Sequence, residues 1–417
     1  MANSTLTILA GCRLYCLLFC MAVLFLPSPA NTAPVAGQLI NNGGYIVDSG
    51  PAMLKYREQD LFIPASTIKI LTCLAALQKL GKGYRFQTHF YLDEQNNLYI
   101  KGFGDPFLTS EIILQIGNTL AESGLRQLNS LFLDDTAFSL NGETAGGENS
   151  ANPYDAPNGA LAVNFNALPV QVSRTNGIAS GEPETPLIPL MKAAGSVLSP
   201  GNHRININTL PSPGHLSPAL RYTGELFIAQ FERAGIRIQK GYNKKSVPKE
   251  LSPAYYIHQS VKSLEETIRA CLEYSNNFIA NQLFLACGAE LFGLPASWQK
   301  ARQTFAAFAE QSLQLSPKQI SVQEGSGLSR KNRISPAALL TILHHFKPFS
   351  RLLNQKNDIL LKSGTLQDVY CYVGYLPLGK ELIPFAILLN QSKNNRDGVL
   401  EILHEKTRQY KTNTITQ

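Results

Sequence analysis

Three short motifs, far apart in the chain, combine residue types that could catalyse acyl transfer. In the first, Ser66 precedes Lys69 by three residues at the predicted start of an apolar helix. Residues at i and i+3 share one face of a helix, so the lysine amine can reach the serine hydroxyl. A serine that gives its proton to a nearby lysine becomes a nucleophile without any histidine.

The second and third motifs supply the other groups that such chemistry needs. Ser275-Asn276-Asn277 lies at a predicted turn between two helices, and Lys362-Ser363-Gly364-Thr365 enters a predicted strand. Lys69 must be neutral for part of its time in order to accept a proton. Burial and a second cation, Lys362, would both lower its pKa and so favour the neutral amine.

Two further Ser-x-x-Lys matches are weaker candidates. Lys249 of the Ser246 match follows Pro248 in a segment without an apolar helix, and no partner motifs follow the Ser297/Lys300 match in a sensible order. A serine at a helix start can also be a plain N-cap, worth about 1 kcal/mol of stability. Ser66 is therefore identified by the two motifs that follow it, not by its own spacing.

Composition and charge exclude several function classes. The 417 residues are 44% hydrophobic and 16% charged, which is typical of a globular protein of two or three domains. The formal charge of +7 is spread along the chain, and no contiguous basic run is longer than the two residues of Lys244-Lys245, so we expect no nucleic-acid partner. A basic surface also suits an anionic polymer such as a cell wall.

Residues 1–33 read as a secretory signal peptide. Arg13 precedes an apolar run from Leu14 to Leu26, and small residues around Ala30 and Ala33 offer cleavage sites. The run is shorter than the roughly 20 residues of a spanning helix. We expect export to the periplasm and leave open an uncleaved anchor or a peripheral association with the membrane.

The four cysteines outside this segment show no metal-ligand spacing. Each lies inside an apolar element, so we expect buried core thiols instead of disulfides. The pair His344-His345 likewise suggests neither a metal nor a catalytic triad, and we expect no metal and no cofactor. The four cysteines are Cys73, Cys271, Cys287 and Cys371.

Strands at both ends of the chain, with helices between them, predict a mixed α/β (α+β) multidomain fold. We expect a catalytic domain at 34–84 and 256–417, in which a helix begins at Ser66. An inserted α+β domain is expected at 85–170 and 219–255, with a strand at Val163–Ala167. A small proline-rich subdomain at 171–218 would be nested in the insertion.

The ordered motifs resemble those of the penicillin-recognising serine enzymes, which are Ser-x-x-Lys, Ser-x-Asn and Lys-(Thr/Ser)-Gly. Further matches resemble the D-alanyl-D-alanine carboxypeptidase/endopeptidase branch, the class C low-molecular-mass penicillin-binding proteins. That branch also carries a large insertion between its first two motifs. The additional matches are Gly104-Asp105-Pro106, Asp134-Asp135, Asn164 with Asn166, Gly325 to Arg330, and Gly374-Tyr375-Leu376.

The resemblance implies a penicillin-binding/β-lactamase-like serine transpeptidase domain and a role for each motif residue. Ser66 would be acylated with Lys69 as its base, and Ser275 would relay a proton to the leaving amine. Asn277 would hold the substrate's amide oxygen. Lys362 and the hydroxyls of Ser363 and Thr365 would bind the terminal carboxylate of the leaving D-Ala, and the backbone N–H groups of Ser66 and Thr365 would form the oxyanion hole. Peptidoglycan stem peptides would be substrates, and β-lactams covalent inhibitors.

Two rival functions remain on the same fold. A β-lactamase would turn penicillin over rapidly, whereas the long insertion and the nearly full-length resemblance favour a peptidase. A non-catalytic wall-binding sensor would not need the intact motif residues. The sequence predicts a serine D,D-peptidase and leaves its oligomeric state open.

Overall fold

The structure is a computed structural model that describes residues 36–50, 53–140, 146–147, 150–210, 212 and 216–415. The predicted signal peptide at 1–33 lies outside the described residues. Within these ranges no helix combines the length and apolar character needed to cross a membrane.

The described residues contain nine α-helices. Most begin at a serine or asparagine whose side-chain oxygen accepts a hydrogen bond from a backbone N–H of the first turn, as N-caps do. The helices are α1 (Lys69–Lys79), α2 (Ser110–Glu122), α3 (Pro189–Gly195), α4 (Pro218–Arg233), α5 (Leu264–Glu273), α6 (Asn277–Phe292), α7 (Trp298–Leu313), α8 (Pro336–Phe346) and α9 (Arg396–Ile415).

Eighteen strands lie in the same described ranges and form five sheets. They are β1 (Gly43–Val47), β2 (Leu54–Tyr56), β3 (Gln87–Leu92), β4 (Leu98–Gly102), β5 (Gln127–Leu128), β6 (Leu131–Asp134), β7 (Ala167–Val172), β8 (Ile178–Ser180), β9 (Gly201–Asn206), β10 (Arg237–Ile238), β11 (Tyr242–Lys244), β12 (Tyr256–Gln259), β13 (Ile320–Ser321), β14 (Arg333–Ile334), β15 (Asn354–Lys356), β16 (Ile359–Leu366), β17 (Val369–Leu378) and β18 (Glu381–Leu389).

The largest sheet joins the two ends of the chain. Its order is β15-β16-β17-β18-β1-β2, and all neighbours are antiparallel. Side chains alternate between its two faces, so Val373 packs in the core with α1, α6, α7 and α8, whereas Tyr372 packs in the core under α9. Helices on both faces explain why β17 and β18 are almost continuously apolar.

Helix α6 passes through the middle of the helical layer. Its residues 278–288 are all buried, which suits a helix that is apolar around its whole circumference. It packs against α1, whose residues 69–77 are also buried. Because both helices are enclosed on all sides, the residues at their N-terminal ends are held rigidly near the edge of β16.

The segment between α1 and α5 has its own core and sheets. A five-stranded sheet in the order β11-β6-β4-β3-β12 packs with α2 and α4, and a smaller sheet has the order β8-β7-β9. The division predicted for this segment remains a prediction. A boundary at 170 would cut strand β7, and one at 255 would separate β12 from β3, with which it pairs.

The strand predicted at Val163–Ala167 is wrong at every residue except Ala167. Asn164, Phe165 and Asn166 form a single 3-10 turn with φ values of 46°, 59° and 52°, and strand β7 begins only at Ala167. Asparagine tolerates this left-handed region because its amide can replace backbone partners. Here Asn164 Oδ1 accepts a hydrogen bond from the Ser110 N–H at 2.9 Å.

Candidate active site

The three sequence motifs meet at one cavity of about 730 Å³, here called the main cavity. Ser66 reaches it from the turn before α1, Ser275 and Asn277 from the junction of α5 and α6, and Thr365 from β16. Residues that lie 200 to 300 positions apart thus share one wall. The cavity is lined by Ser66, Tyr154, Ser275, Asn277, Gly327, Leu328, Arg330, Thr365, Leu366, Gln367 and Asp368.

Ser66 lies in a 3-10 turn, Ala65–Ile68, and α1 begins only at Lys69. The helix predicted to begin at Ser66 therefore begins one turn later. Ala65 has φ 46° and is fully buried, a costly conformation for a residue with a Cβ. Gly327 packs directly against it, since an added Cβ at Gly327 would lie 1.9 Å from the Ala65 carbonyl oxygen.

The Lys69 amine is surrounded by three hydrogen-bond partners. Its Nζ lies 3.0 Å from Ser66 Oγ, 2.8 Å from Asn277 Oδ1 and 2.5 Å from the Ser326 carbonyl oxygen. The last two partners can only accept, so they orient two N–H bonds. In the neutral amine the remaining lone pair then faces the Ser66 hydroxyl.

The electrostatics of the site favour this neutral form. Burial lowers the pKa of the Lys69 amine to about 8, although the nearby Cys271 and Glu324 oppose the shift. Burial is the main cause at Lys362 as well and lowers the pKa of its amine to about 7, with a further contribution from Lys69. Two buried amines near each other both lose their protons more easily than exposed ones.

Ser275 and Lys362 form a second pair beside the first. Lys362 Nζ donates to Ser275 Oγ at 2.9 Å and to the Ser363 carbonyl oxygen at 3.0 Å. Ser275 has φ 52° and lines the main cavity at the α5–α6 junction. The lysine itself is only 2% exposed. The predicted contact of Lys362 with a substrate carboxylate stays a prediction.

The two asparagines of the second motif have different tasks. Asn276 is the N-cap of α6, and its Oδ1 accepts a hydrogen bond from the Ile279 N–H at 3.0 Å. Asn277 is the first helical residue, and its amide bridges Lys69 Nζ and the Tyr154 carbonyl oxygen, the latter at 3.2 Å. The middle residue thus fixes the helix start that aims Asn277 at the base.

The loop after β13 completes the site, and its role was not predicted. The buried Glu324 carboxylate accepts hydrogen bonds from the N–H groups of Ser326 and Gly327 at 2.7 and 2.8 Å and from Asn332 Nδ2 at 2.8 Å. Ser326 Oγ and the Ser329 N–H donate to the same carboxylate. This network fixes the Ser326 carbonyl oxygen that Lys69 contacts.

Other candidate residues lie where simpler roles explain them. Ser297 is the N-cap of α7, and Lys300 Nζ donates to two backbone carbonyl oxygens. All four cysteines of the described residues are buried free thiols, which confirms the prediction. The described residues contain no group of three or more histidine, cysteine or acidic side chains arranged to hold a metal ion.

Sequence reasoning also missed Tyr154 and Arg396. Tyr154, in the inserted segment, lines the main cavity and accepts from Asn277, while Arg396 begins α9 and donates to Thr365 Oγ1 at 2.7 Å. No spacing rule connects residue 396 to residue 365, because the contact depends on how α9 lies across the sheet. Ser363 is half-buried, and Thr365 is exposed to the cavity.

A half-buried serine beside a lysine with a lowered pKa, together with a second serine–lysine pair, defines a serine hydrolase. Residues 36–196 and 216–360 match the D-Ala-D-Ala carboxypeptidase 3 (S13) family, and the chain belongs to this family. It is a serine-type D-Ala-D-Ala carboxypeptidase. The resemblance and the mixed α/β multidomain fold predicted from the motifs are confirmed.

Individual relatives agree with this assignment. A D-alanyl-D-alanine carboxypeptidase of an Actinomadura species is 26% identical over 419 residues, covering 84% of this chain and 77% of that protein. The carboxypeptidase DacB of Haemophilus influenzae is 24% identical over 420 residues, covering 84% and 85%. The crystal structure of penicillin binding protein 4 from Haemophilus influenzae has a TM-score of 0.70 at 18% identity, covering 91% of this chain and 98% of that one.

Proposed function

We propose that the chain trims terminal D-Ala from peptidoglycan stem peptides and opens D,D-crosslinks through an acyl-enzyme on Ser66. The observation that carries this proposal is the position of Lys69 Nζ, 3.0 Å from Ser66 Oγ and held from the other side by Asn277 and Ser326. A base within hydrogen-bond reach of the nucleophile is the first requirement for this chemistry.

In the first step Lys69 Nζ takes the Ser66 hydroxyl proton while Ser66 Oγ attacks the carbonyl carbon of the D-Ala-D-Ala bond. The N–H groups of Ser66 and Thr365 stabilise the oxygen anion that forms. One such donor typically contributes about 3 kcal/mol to the barrier. The anion collapses, the C–N bond breaks, and the D-Ala amine leaves with a proton.

Ser275 is placed to deliver that proton. Its hydroxyl lines the main cavity and accepts a hydrogen bond from Lys362, so a proton given to the leaving amine can be replaced from Lys362. Lys69 then releases to solvent the proton that it took from Ser66, and Lys362 regains one. A water molecule attacks the acyl-enzyme with the neutral Lys69 as its base, and Lys69 returns this proton to Ser66 Oγ as the shortened stem peptide leaves.

The substrate backbone has an open strand edge to bind. Strand β15 pairs only with residues 359–361 of β16, so residues 362–366 have no strand partner on that side among the described residues. An extended peptide can add there as a further strand, which orients its carbonyl toward Ser66. Asn277 Nδ2 would then exchange the Tyr154 carbonyl for a substrate amide oxygen.

We further propose export to the periplasm through residues 1–33 and covalent inhibition by β-lactams. The apolar run after Arg13 supports export, and the family assignment together with the Haemophilus influenzae penicillin binding protein 4 crystallised with a β-lactam supports the inhibition. The β-lactam ring presents a strained amide in place of the D-Ala-D-Ala bond.

A labelled penicillin tests the acyl-enzyme directly. We expect the wild type to carry one label, Ser66→Ala none, and the control Ser297→Ala, which removes the serine of another Ser-x-x-Lys match, as much as the wild type. Labelling of Ser66→Ala would refute the assignment. Mass analysis of digested peptidoglycan, read for lost D-Ala and opened crosslinks, then measures the two activities separately.

A further inference from the structure

We propose that Arg396 is a specificity-determining residue that directs the Thr365 hydroxyl to the free carboxylate of the substrate's C-terminal residue. This inference rests on the proposed catalytic role of Ser66 and deepens it. Neither the sequence motifs nor the family resemblance marks Arg396, which lies 31 residues beyond Thr365, the last residue of the third motif.

The contacts of Arg396 end on the substrate-binding strand. Its Nη1 donates to Thr365 Oγ1 at 2.7 Å and to the Gly364 carbonyl oxygen at 3.0 Å. Gly364 packs next to the nucleophile, since an added Cβ there would lie 3.1 Å from the Ser66 nitrogen. Arg396 therefore contacts Thr365 and Gly364, the residues of β16 that lie between its guanidinium and Ser66.

The direction of this hydrogen bond decides what Thr365 can do. A hydroxyl has one donor and two acceptor positions, and a guanidinium can only donate. Thr365 Oγ1 therefore accepts from Arg396 and keeps its own hydrogen for a partner in the main cavity, which Thr365 lines. A partner for that hydrogen must be an acceptor, and a carboxylate is the strongest one that the substrate offers.

Lys362 is badly placed to supply the charge for this carboxylate. Its amine is buried, already donates to Ser275 Oγ and the Ser363 carbonyl oxygen, and is absent from the residues that line the main cavity. Arginine, in contrast, stays charged at every pH at which proteins fold. Arg396 is thus the permanent cation beside Thr365.

Packing holds the guanidinium in place without neutralising it. The Arg396 Cζ lies 4.5 Å from the centre of the Tyr372 ring, a favourable cation–π position. The neighbouring Asp397 is occupied by Lys356 at 2.5 Å and by the Tyr372 hydroxyl at 3.0 Å. The Asp397 carboxylate therefore does not compete for the Arg396 guanidinium, which donates its hydrogen bonds to residues of β16.

The test compares an N-acylated stem peptide ending in D-Ala-D-Ala with the same peptide ending in D-alaninamide. For Arg396→Gln we expect kcat/KM to fall about tenfold on the free acid and less than twofold on the amide, because only the acid uses the charge-assisted hydrogen bond. Arg396→Lys should keep part of the preference. Lys393→Gln removes one positive charge from the exposed loop just before α9 and should change neither value.

Three outcomes overturn the inference. Equal losses on the two peptides would mean that Arg396 only supports β16, and no loss would mean that it has no role. Loss of the acid preference in Arg330→Gln instead would assign the carboxylate to the other arginine at the cavity. If the wild type cleaves neither peptide, the proposed function itself is refuted. The experiment thus distinguishes that result from a failure of the role proposed for Arg396.

Discussion

Lys362 Nζ lies 2.9 Å from Ser275 Oγ, so the lysine of the third motif serves the serine of the second. A parallel contact of 3.0 Å joins Lys69 to Ser66. The site therefore contains two serine–lysine pairs, and we propose that one serves the attacking oxygen and the other the leaving amine. The pairs are coupled electrostatically, since Lys69 contributes to the lowered pKa of Lys362.

We predict that Ser275 and Lys362 act as one unit. Ser275→Ala and Lys362→Met should each slow acylation by about a hundredfold, a typical loss for a proton-transfer group. The double variant should be about as slow as the worse single one, because either change already breaks the relay. The rates are read from the appearance of the labelled acyl-enzyme, and multiplicative losses would contradict a shared relay.

We predict that acylation follows the ionisation of Lys69. Its amine acts as a base only when neutral, and burial lowers its pKa to about 8. The acylation rate should therefore rise with pH toward a maximum between about pH 7 and 8. It should fall above this maximum, because Lys362, with a pKa lowered to about 7, then loses the proton that it passes to Ser275. It is measured with a β-lactam whose own ionisation does not change in this range.

A control for this profile is His344→Gln. His344 Nε2 lies 3.1 Å from Asp48 Oδ2 on the surface, so the variant removes a histidine and its contact with a carboxylate without touching the site. The rising limb should persist in this variant. A rate that stays constant between pH 6 and 9 in the wild type would exclude Lys69 as the base.

The same amine should make stability depend on pH. Because burial lowers its pKa below the unfolded value, the unfolded chain binds more protons between the two values, and stability rises with pH there. Relative to Lys69→Met, the wild type should gain about 1 kcal/mol per pH unit between pH 8 and 10. Urea unfolding at several pH values measures this difference, and a constant difference would mean that Lys69 titrates normally.

Much of the site could be predicted because its signals are local in sequence. The spacing of Ser66 and Lys69, the polar residues at the α5–α6 junction and the Lys-Ser-Gly stretch each identify a group without knowledge of the fold. The order of the three motifs then connects them. The sequence also predicts the lowered pKa of Lys69, and of the two expected causes it is burial that produces the shift.

The parts that sequence reasoning missed depend on contacts between distant elements. Ser326 offers Lys69 a carbonyl oxygen, a group that every residue has, so no residue type could reveal it. Arg396 reaches Thr365 only because α9 crosses the sheet at one particular position. The turn at Asn164–Asn166 was mistaken for a strand because its alternating pattern outweighed the tolerance of asparagine for positive φ.

Glu324 provides the last prediction, because it positions Lys69 through the Ser326 carbonyl oxygen. Five donors converge on its buried carboxylate, and an amide would place its own hydrogens against some of them. Glu324→Gln should therefore lower the free energy of unfolding by about 2–3 kcal/mol. Acylation should slow more than tenfold, since a displaced Ser326 no longer orients the base.

Two comparisons separate positioning of the base from general loss of stability. Glu310→Gln removes a carboxylate from the exposed face of α7 and should change neither quantity. Glu324→Asp keeps the charge on a shorter side chain and should fall between the wild type and Glu324→Gln. If Glu324→Gln is destabilised but acylates at the wild-type rate where it remains folded, the loop holds the fold together and Ser326 does not control Lys69. A slowed rate with an altered pH midpoint would instead place the effect on the base itself, because only a change around the Lys69 amine moves its ionisation.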